Sequence, residues 1–211
     1  MFVIVAPGQG SQKPGFLEPW LETPSHRDLL HGWSELLGID LVAHGTTSDQ
    51  ATITDTAIAQ PLIVAAGIMT GRALLEALPA GIPLAFAGHS VGEFSAAALS
   101  GVLSDEDALS LVALRGRAMA EASAERPTGM SAVLGAEEDT LAPALEEAGL
   151  FAANFNGAGQ VVIAGEKGAL VSFQEKPPSG VRVIPLQVAG AFHTRYMLSA
   201  VSTLSEAASQ V

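Results

Sequence analysis

Gly88-His89-Ser90-Val91-Gly92 is the strongest signal in this chain of 211 residues. The apolar run Pro83–Ala87 precedes it and the small-residue segment Ser95–Leu99 follows, which predicts a buried strand, a sharp turn and a closely packed helix. A G-x-S-x-G motif alone is weak, because most chance matches are ordinary turns. With strand and helix signals on both sides, we interpret Ser90 as a nucleophile at a helix N-terminus, where free N–H groups favour an oxyanion.

A second polar loop, Gly8-Gln9-Gly10-Ser11-Gln12, follows the apolar run Phe2–Ala6. The continuous run predicts a strand buried on both faces. The loop alone would be read as a turn, and it does not match a P-loop because no Gly-Lys-Ser/Thr follows. Its functional interpretation is a second backbone N–H for an oxyanion hole, brought beside Ser90 by a neighbouring parallel strand.

His193 is the candidate general base, which a hydroxyl nucleophile needs at neutral pH. It ends the loop Gly190-Ala191-Phe192-His193, after a predicted strand and C-terminal to Ser90, the order found in hydrolase-like sheets. No Asp or Glu in the sequence is placed to orient its imidazole. We expect the remaining histidines to be structural or on the surface: His26, His31, His44 and His89.

Two arginines lie on a predicted helix that Ser104 caps and that runs to about Ala124, with acidic residues in its first turn. We interpret Arg117 as part of a solvated face. Arg115 points in a different direction, and a buried guanidinium there would need a carboxylate partner, such as an acidic acyl group.

The composition excludes several classes of protein. With 48% hydrophobic and 15% charged residues the chain can fill a core and is not disordered. Its lack of cysteine excludes disulfides, thiolate metal sites and a Cys nucleophile. Ten Lys plus Arg within a net charge of −12 argue against nucleic-acid binding. The lack of cysteine also fits a cytoplasmic location, which is expected. The apolar N-terminal run is too short for a signal peptide or a membrane span.

The pattern changes near Arg126-Pro127, where short strands begin to alternate with helices. This alternation over about sixty residues predicts a small α+β insert. A final helix is predicted over Thr194–Gln210.

Six sequence blocks, in this order, resemble the malonyl-CoA:acyl carrier protein transacylases of fatty-acid synthesis and the related acyltransferase domains of polyketide synthases. The resemblance extends from residue 1 to about residue 200. The blocks are Gly8–Gln12, Thr56–Pro61, Gly88–Glu93, Arg115–Met119, Asn154–Val162 and Gly190–Thr194.

The resemblance implies an α/β fold with a hydrolase-like parallel-sheet core and an inserted small ferredoxin-like α+β subdomain. The core would comprise residues 1–126 and 187–211, and the insert residues 127–186. It also implies that the family's domain continues for roughly another third beyond residue 211.

The site residues that the resemblance implies include Ser90 as nucleophile and His193 as its base. The oxyanion donors would be the N–H groups of Gln9 and Val91, and Arg115 would bind the malonyl carboxylate. Further residues would support or border the site: Gln60, Asn156 and Phe192.

Two residues resemble the malonyl-type pattern, Val91 after the nucleophile and Phe192 before the base. A bulky Phe beside the base would crowd an α-methyl branch. An acetyl group would leave the guanidinium of Arg115 unpaired, which costs about 3–5 kcal/mol when the charge is buried. We therefore expect strong discrimination against neutral acyl groups.

The implied reaction moves a malonyl group from malonyl-CoA, through an ester on Ser90, to the phosphopantetheine thiol of an acyl carrier protein. The CoA thioester is a substrate, and no metal or other cofactor is expected, nor a nucleic-acid or membrane partner; a monomer is expected. Acyl carrier proteins are acidic, so docking needs a local basic patch. Its candidate members are Lys13, Arg72, Lys167, Lys176, Arg182 and Arg195.

Three alternatives remain open on the sequence. A serine hydrolase would share Ser90 and His193 but would not need Arg115. A discrete or excised acyltransferase could serve a polyketide synthase. A non-catalytic scaffold or assembly fragment would form no acyl-enzyme at all.

Overall fold

The computed structural model describes residues 1–135 and 137–211. Ala136, inside the predicted insert, and the side chain of Glu138 lie outside the described residues. The chain divides into two compact units, which we call the first unit (residues 1–117 and 203–211) and the second unit (residues 118–202).

The described strands, in chain order, are β1 (Phe2–Ala6), β2 (Leu84–Gly88), β3 (Thr128–Leu134), β4 (Phe151–Gly157), β5 (Gln160–Glu166) and β6 (Arg182–Pro185). The α-helices are α1 (Pro24–Leu37), α2 (Leu41–Thr46), α3 (Gln50–Thr54), α4 (Thr56–Ala77), α5 (Gly92–Leu99), α6 (Asp105–Ala124), α7 (Glu138–Ala148), α8 (Lys167–Glu175) and α9 (Leu198–Ala208). Short 3-10 helices cover Glu18–Glu22 and Arg195–Met197.

The parallel sheet of the first unit pairs β1 with β2, and Ala6 lies opposite Gly88, so both strands end at the same edge. The prediction that β1 is buried on both faces is wrong, because Val3 and Val5 are 55% and 67% exposed. Successive side chains of a strand point to opposite faces. Helix α5 packs on the sheet, but no second layer among the described residues covers Val3 and Val5.

Helix α4 forms the centre of the first unit. Its residues Leu62, Val64 and Ile68 are fully buried and pack in one apolar cluster with side chains of α1, α5 and α6. By length and composition alone this helix could cross a membrane, but 61% of its most apolar window is buried inside the protein. The core helix of a soluble protein passes the same test, so the helix gives little support for a membrane span.

Aspartate caps begin the short helices that lead into α4. The side chains of Asp40, Asp49 and Asp55 accept hydrogen bonds from backbone N–H groups in the first turns of α2, α3 and α4. Helices α2 and α3 were not predicted, since five or six residues are too few for a clear helical period. The predicted cap of α6 is confirmed, because the N–H of Asp107 donates to Oγ of Ser104 over 2.9 Å.

The second unit is built on an antiparallel sheet with strand order β4-β5-β3-β6. One face carries α7 and α8 over an apolar cluster that includes Val133, Val161 and Ile163. On the other face, Met130 and Val162 belong to a cluster with residues of α6 and of the segment around Phe192. The predicted alternation of strands and helices is confirmed, and the chain is an α/β protein with one parallel and one antiparallel sheet.

Candidate active site

The predicted strand–turn–helix around Ser90 is confirmed. Ser90 follows β2 with a φ of +54°, a left-handed conformation that is uncommon for a residue with a side chain. Glycines flank it because there is no room for a Cβ atom. A Cβ on Gly88 would lie 2.2 Å from the N atom of Glu93, and one on Gly92 would lie 2.4 Å from the carbonyl O of Ala6. The turn therefore presses against β1 and holds the Ser90 hydroxyl at the start of α5.

The two predicted oxyanion donors belong to neighbouring segments of the first unit. The N–H of His89 donates to the carbonyl O of Ala6 over 3.0 Å, so the segments that follow β1 and β2 start side by side. Within the part of the chain that the structure describes, the N–H groups of Gln9 and Val91 donate to no protein acceptor. Val91 lies at the start of α5 and Gln9 in the loop after β1, and unpaired backbone N–H groups of this kind can bind a developing oxyanion.

Gln12 fixes the loop that carries Gln9. Its side chain is 5% exposed, accepts a hydrogen bond from the N–H of Gly10 over 2.8 Å and donates one to the carbonyl O of Ile53 over 2.9 Å. Because buried amides are costly when unpaired, this double contact ties the loop to α3. Gln12 belongs to the polar loop that the sequence singles out, but its role was not predicted because its partner Ile53 is distant in sequence.

The side chain of Gln9 makes longer contacts. Its Nε2 donates to the carbonyl O of Thr54 over 3.4 Å and to Oγ1 of Thr56 over 3.5 Å. Its Oε1 is buried and has no hydrogen-bond partner among the described residues. The backbone of the loop is thus held mainly by Gln12, and Gln9 is held more weakly.

Arg115 is the charged group beside the nucleophile. Its Nη2 donates to Oγ of Ser90 over 3.3 Å, and its Nη1 donates to Oε1 of Gln60 over 2.6 Å. Gln60 is 1% exposed and lies on the central helix α4, so the guanidinium is anchored from the core. Arg117 is exposed, as predicted.

Burial lowers the pKa of the Arg115 guanidinium, and the carboxylate of Glu93 opposes this effect. Arginine nevertheless stays protonated at neutral pH. Helix α6 approaches α4 closely here, since a Cβ on Gly116 would lie 2.9 Å from the carbonyl O of Thr56. The site therefore presents a partly desolvated cation next to a serine hydroxyl, an arrangement suited to a substrate that carries an anionic group.

His193 lies in the second unit, on a loop that is tied to strand β3 and to itself. The N–H of Ala191 donates to Oγ1 of Thr128 in β3 over 3.1 Å, and within the loop Oγ1 of Thr194 donates to the carbonyl O of Ala191 over 2.6 Å. Phe192 is 6% exposed and anchors the loop in the apolar cluster described above. His193 itself is exposed and has a φ of +59°.

Asn156 lies near the end of β4, the edge strand of the antiparallel sheet. Its Nδ2 donates to Oε1 of Gln160 over 2.9 Å across the β4–β5 hairpin, and the side chain is exposed. This contact gives Asn156 a structural role in the hairpin. Its position near the active site stays a prediction.

In the first unit the structure brings together Ser90, Gln60 and Arg115, and it places Gln9 and Val91 on the segments that follow β1 and β2. His193, Phe192 and Asn156 belong to the second unit, and their roles stay predictions. Among the described residues, no group of three or more His, Cys, Asp or Glu side chains could hold a metal ion.

Comparison with protein families gives one match over almost the whole chain. The model of the acyl transferase domain matches residues 3–211. The chain belongs to the acyl transferase family. A malonyl CoA-acyl carrier protein transacylase of Mycobacterium bovis is 47% identical over 212 residues, and the match covers 100% of this chain and 70% of that relative.

Solved structures of acyl transferases are similar as well. MCAT from Mycobacterium tuberculosis is 47% identical with a TM-score of 0.95, over 99% of this chain and 70% of that one. A type II PKS acyl-carrier protein in complex with its malonyl-transacylase gives 32% identity and a TM-score of 0.91, over 100% and 70% of the two chains. This chain thus spans about 70% of the length of these acyl transferases.

Proposed function

We propose that this protein transfers a malonyl group from malonyl-CoA to the phosphopantetheine thiol of an acyl carrier protein, for fatty-acid biosynthesis. The observation that carries the proposal is the hydrogen bond from Arg115 to the hydroxyl of Ser90. It places a cation beside a strained serine in a chain that is 47% identical to a malonyl CoA-acyl carrier protein transacylase.

Arg115 gives the acyl preference. A malonyl thioester carries a carboxylate two bonds from its reacting carbonyl, so the carboxylate and the guanidinium can pair while the carbonyl meets Ser90. Gln60 occupies Nη1 of Arg115 and orients the planar group, which leaves other N–H donors for the carboxylate. A neutral acyl group would gain none of this interaction, so malonyl is favoured over acetyl.

The first half-reaction forms the acyl-enzyme. His193 takes the proton of the Ser90 hydroxyl as Oγ attacks the thioester carbonyl, and the N–H groups of Gln9 and Val91 hold the oxyanion. The carbon–sulfur bond then breaks, the CoA sulfur takes the proton from His193, and a malonyl ester remains on Ser90.

The second half-reaction runs the same steps with a new thiol. His193 takes the proton of the phosphopantetheine thiol, the sulfur attacks the ester, and Ser90 regains its proton as it leaves. Phe192 is proposed to crowd an α-methyl branch on the acyl group, and Asn156 to border the site.

We also infer a hydrolase-like core over residues 1–126 and 187–211 and a ferredoxin-like insert over residues 127–186. The β-α-β-β-α-β order of β3 to β6 with α7 and α8 supports the insert, and the strand–turn–helix at Ser90 supports the core.

The proposed acyl transfer needs no metal and no redox cofactor. The CoA thioester takes part as a substrate. The proposed partners are malonyl-CoA and an acyl carrier protein, which accords with the carrier-protein complex among the similar structures. We propose a cytoplasmic monomer that binds neither nucleic acid nor membrane.

The test is a transfer assay with malonyl-CoA and a holo acyl carrier protein, in which malonylated carrier protein is measured by mass spectrometry. We expect transfer by the wild type and by Ser100→Ala, which changes an exposed serine at the end of α5, and none by Ser90→Ala. Hydrolysis of malonyl-CoA without transfer would instead identify a serine hydrolase.

A further inference from the structure

The second unit contains a pocket of about 380 Å³, and none of its lining residues has a role in the reaction proposed above. It is formed by the end of α6, the start of β3 and the segment from the second 3-10 helix into α9. Its polar lining residues are Glu125, Arg126, Thr128, Arg195, Tyr196 and Ser199.

Two arginines from distant parts of the sequence meet in the lining of this pocket. The guanidinium of Arg195 lies 5.0 Å from the ring centre of Phe151 and 5.6 Å from that of Tyr196. These cation–π contacts hold the guanidinium beside two aromatic rings. Among the described residues its N–H groups donate no hydrogen bond, so they are available to a ligand. Within the described residues neither Arg126 nor Arg195 forms an ion pair, although Glu125 lines the same pocket.

The ligand that fits this lining is a phosphate group. The guanidinium groups of Arg126 and Arg195 and the carboxylate of Glu125 give the lining a net positive charge. A guanidinium group can donate two parallel hydrogen bonds to a phosphate. Ser199 contributes from the first turn of α9, where the helix dipole adds a partial positive charge.

The lining of the pocket is connected to the loop that carries His193, the proposed base. Oγ1 of Thr128, in its lining, accepts the hydrogen bond from the N–H of Ala191, two residues before His193. Arg195 follows His193 by two residues. A phosphate held here would therefore be bound by the same structural segment that is proposed to activate the thiol and the serine.

We propose that Arg126 and Arg195 bind a phosphate group of the acyl donor or of the acceptor arm. This inference rests on the proposed function, because both of its substrates carry phosphate next to a neutral pantetheine. The phosphate is either one of those of CoA or the single phosphate of the phosphopantetheine arm. Substrates that lack one or more of these groups distinguish the sources.

The experiment measures kcat/KM for malonyl-CoA, malonyl-dephospho-CoA, malonyl-phosphopantetheine and malonyl-pantetheine. The variants are Arg126→Gln and Arg195→Gln, with Arg117→Gln as the matched control, since Arg117 is an exposed arginine on helix α6 that lies outside the lining. We expect each arginine variant to lower the ratio of malonyl-CoA to malonyl-pantetheine activity about tenfold, mainly through KM, as for a hydrogen bond to a charged group. The control should keep the wild-type ratio.

The pattern across substrates identifies the phosphate. A loss confined to malonyl-CoA assigns the pocket to the 3′-phosphate of CoA, whereas a loss that persists with malonyl-phosphopantetheine assigns it to the phosphate that the carrier arm shares. An unchanged ratio in both arginine variants would overturn the inference and leave the proposed transfer intact.

A binding titration keeps the two proposals separate. If the wild type transfers no malonyl group, the proposed function fails, and calorimetric titration with CoA and with pantetheine still tests the pocket. Wild-type affinity for CoA above that for pantetheine, reduced about tenfold in Arg195→Gln, supports the inference. Equal affinity for CoA and pantetheine, or an unreduced preference in the variants, contradicts it. Thermal melting of each variant confirms that it is folded.

Discussion

Nη1 of Arg115 donates a hydrogen bond to Oε1 of Gln60 over 2.6 Å, although the two residues are 55 positions apart in the chain. Nη2 of the same guanidinium donates to the Ser90 hydroxyl over 3.3 Å. The core helix α4 therefore sets the direction of the cation that we propose to recognise the substrate.

Replacing Arg115 by Ala removes the proposed partner of the malonyl carboxylate. We expect kcat/KM for malonyl-CoA to fall by about 10²–10³, as for loss of a charge-assisted pair in a partly buried site, while the low activity with acetyl-CoA changes much less. The measurement is steady-state transfer with both donors. Arg117→Ala, on the exposed side of the same helix, is the control and should keep the wild-type selectivity. Equal losses with both donors would show that Arg115 is not the acyl-selecting residue.

Replacing Gln60 by Glu supplies a resident carboxylate of nearly the same shape. Because it would pair with Arg115, we expect it to compete with the malonyl carboxylate and to raise KM for malonyl-CoA about tenfold or more. The same charge change at the exposed Gln50 should leave KM unchanged. A Gln60→Glu enzyme with wild-type KM would contradict the proposed orienting role of this hydrogen bond.

Replacing Gly92 by Ala tests the close packing behind the nucleophile. The added Cβ would lie 2.4 Å from the carbonyl O of Ala6 and 2.6 Å from that of Pro7, both on backbone that cannot move independently. We expect a loss of unfolding free energy of about 1–3 kcal/mol or more, measured by urea denaturation. Gly32→Ala, in α1 with no atom within 4 Å of the new Cβ, should instead stabilise the protein by up to about 1 kcal/mol. Similar effects at the two sites would contradict the packing described here.

Asp49 gives a prediction for pH. Its pKa is lowered because the carboxylate accepts hydrogen bonds from the backbone N–H and the hydroxyl of Thr52. The folded state then binds fewer protons than the unfolded state, so the contribution of Asp49 to stability is complete above its unfolded pKa and is lost as pH falls through the folded pKa. NMR titration should find a carboxyl pKa below 3.8, the ordinary value for Asp. Asp49→Asn removes this titration, and an unshifted Asp49 pKa would contradict the capping geometry.

Much of the architecture followed from short-range patterns in the sequence. The strand–turn–helix at Ser90, the cap at Ser104 and the alternating elements after Pro127 each have a local physical cause that the residues reveal. The exposure of Val3 and Val5 does not, because an apolar run predicts a strand but not which elements cover it. The caps of α2 and α3 were missed because the helices that follow are too short to show a period.

The site residues that belong to sequence motifs could be predicted from the sequence. Ser90, Gln9 and Arg115 were predicted from their surroundings in the sequence, and the resemblance to a known family supplied the roles proposed for them. The functions of Gln12 and Thr128 could not be predicted, since each depends on a hydrogen bond between residues that are distant in sequence. The pocket around Arg126 and Arg195 is of the same kind, because only folding brings residues 69 positions apart into one lining.

The most direct test of the proposed mechanism is mass spectrometry of the intact protein and its peptides after brief incubation with malonyl-CoA. We predict a malonyl increment on the peptide that contains Ser90, absent in Ser90→Ala, retained in Ser100→Ala and much reduced when acetyl-CoA replaces malonyl-CoA. Absence of an adduct on the folded protein, or an adduct on another residue, would contradict the proposal that malonyl transfer proceeds through an ester on Ser90.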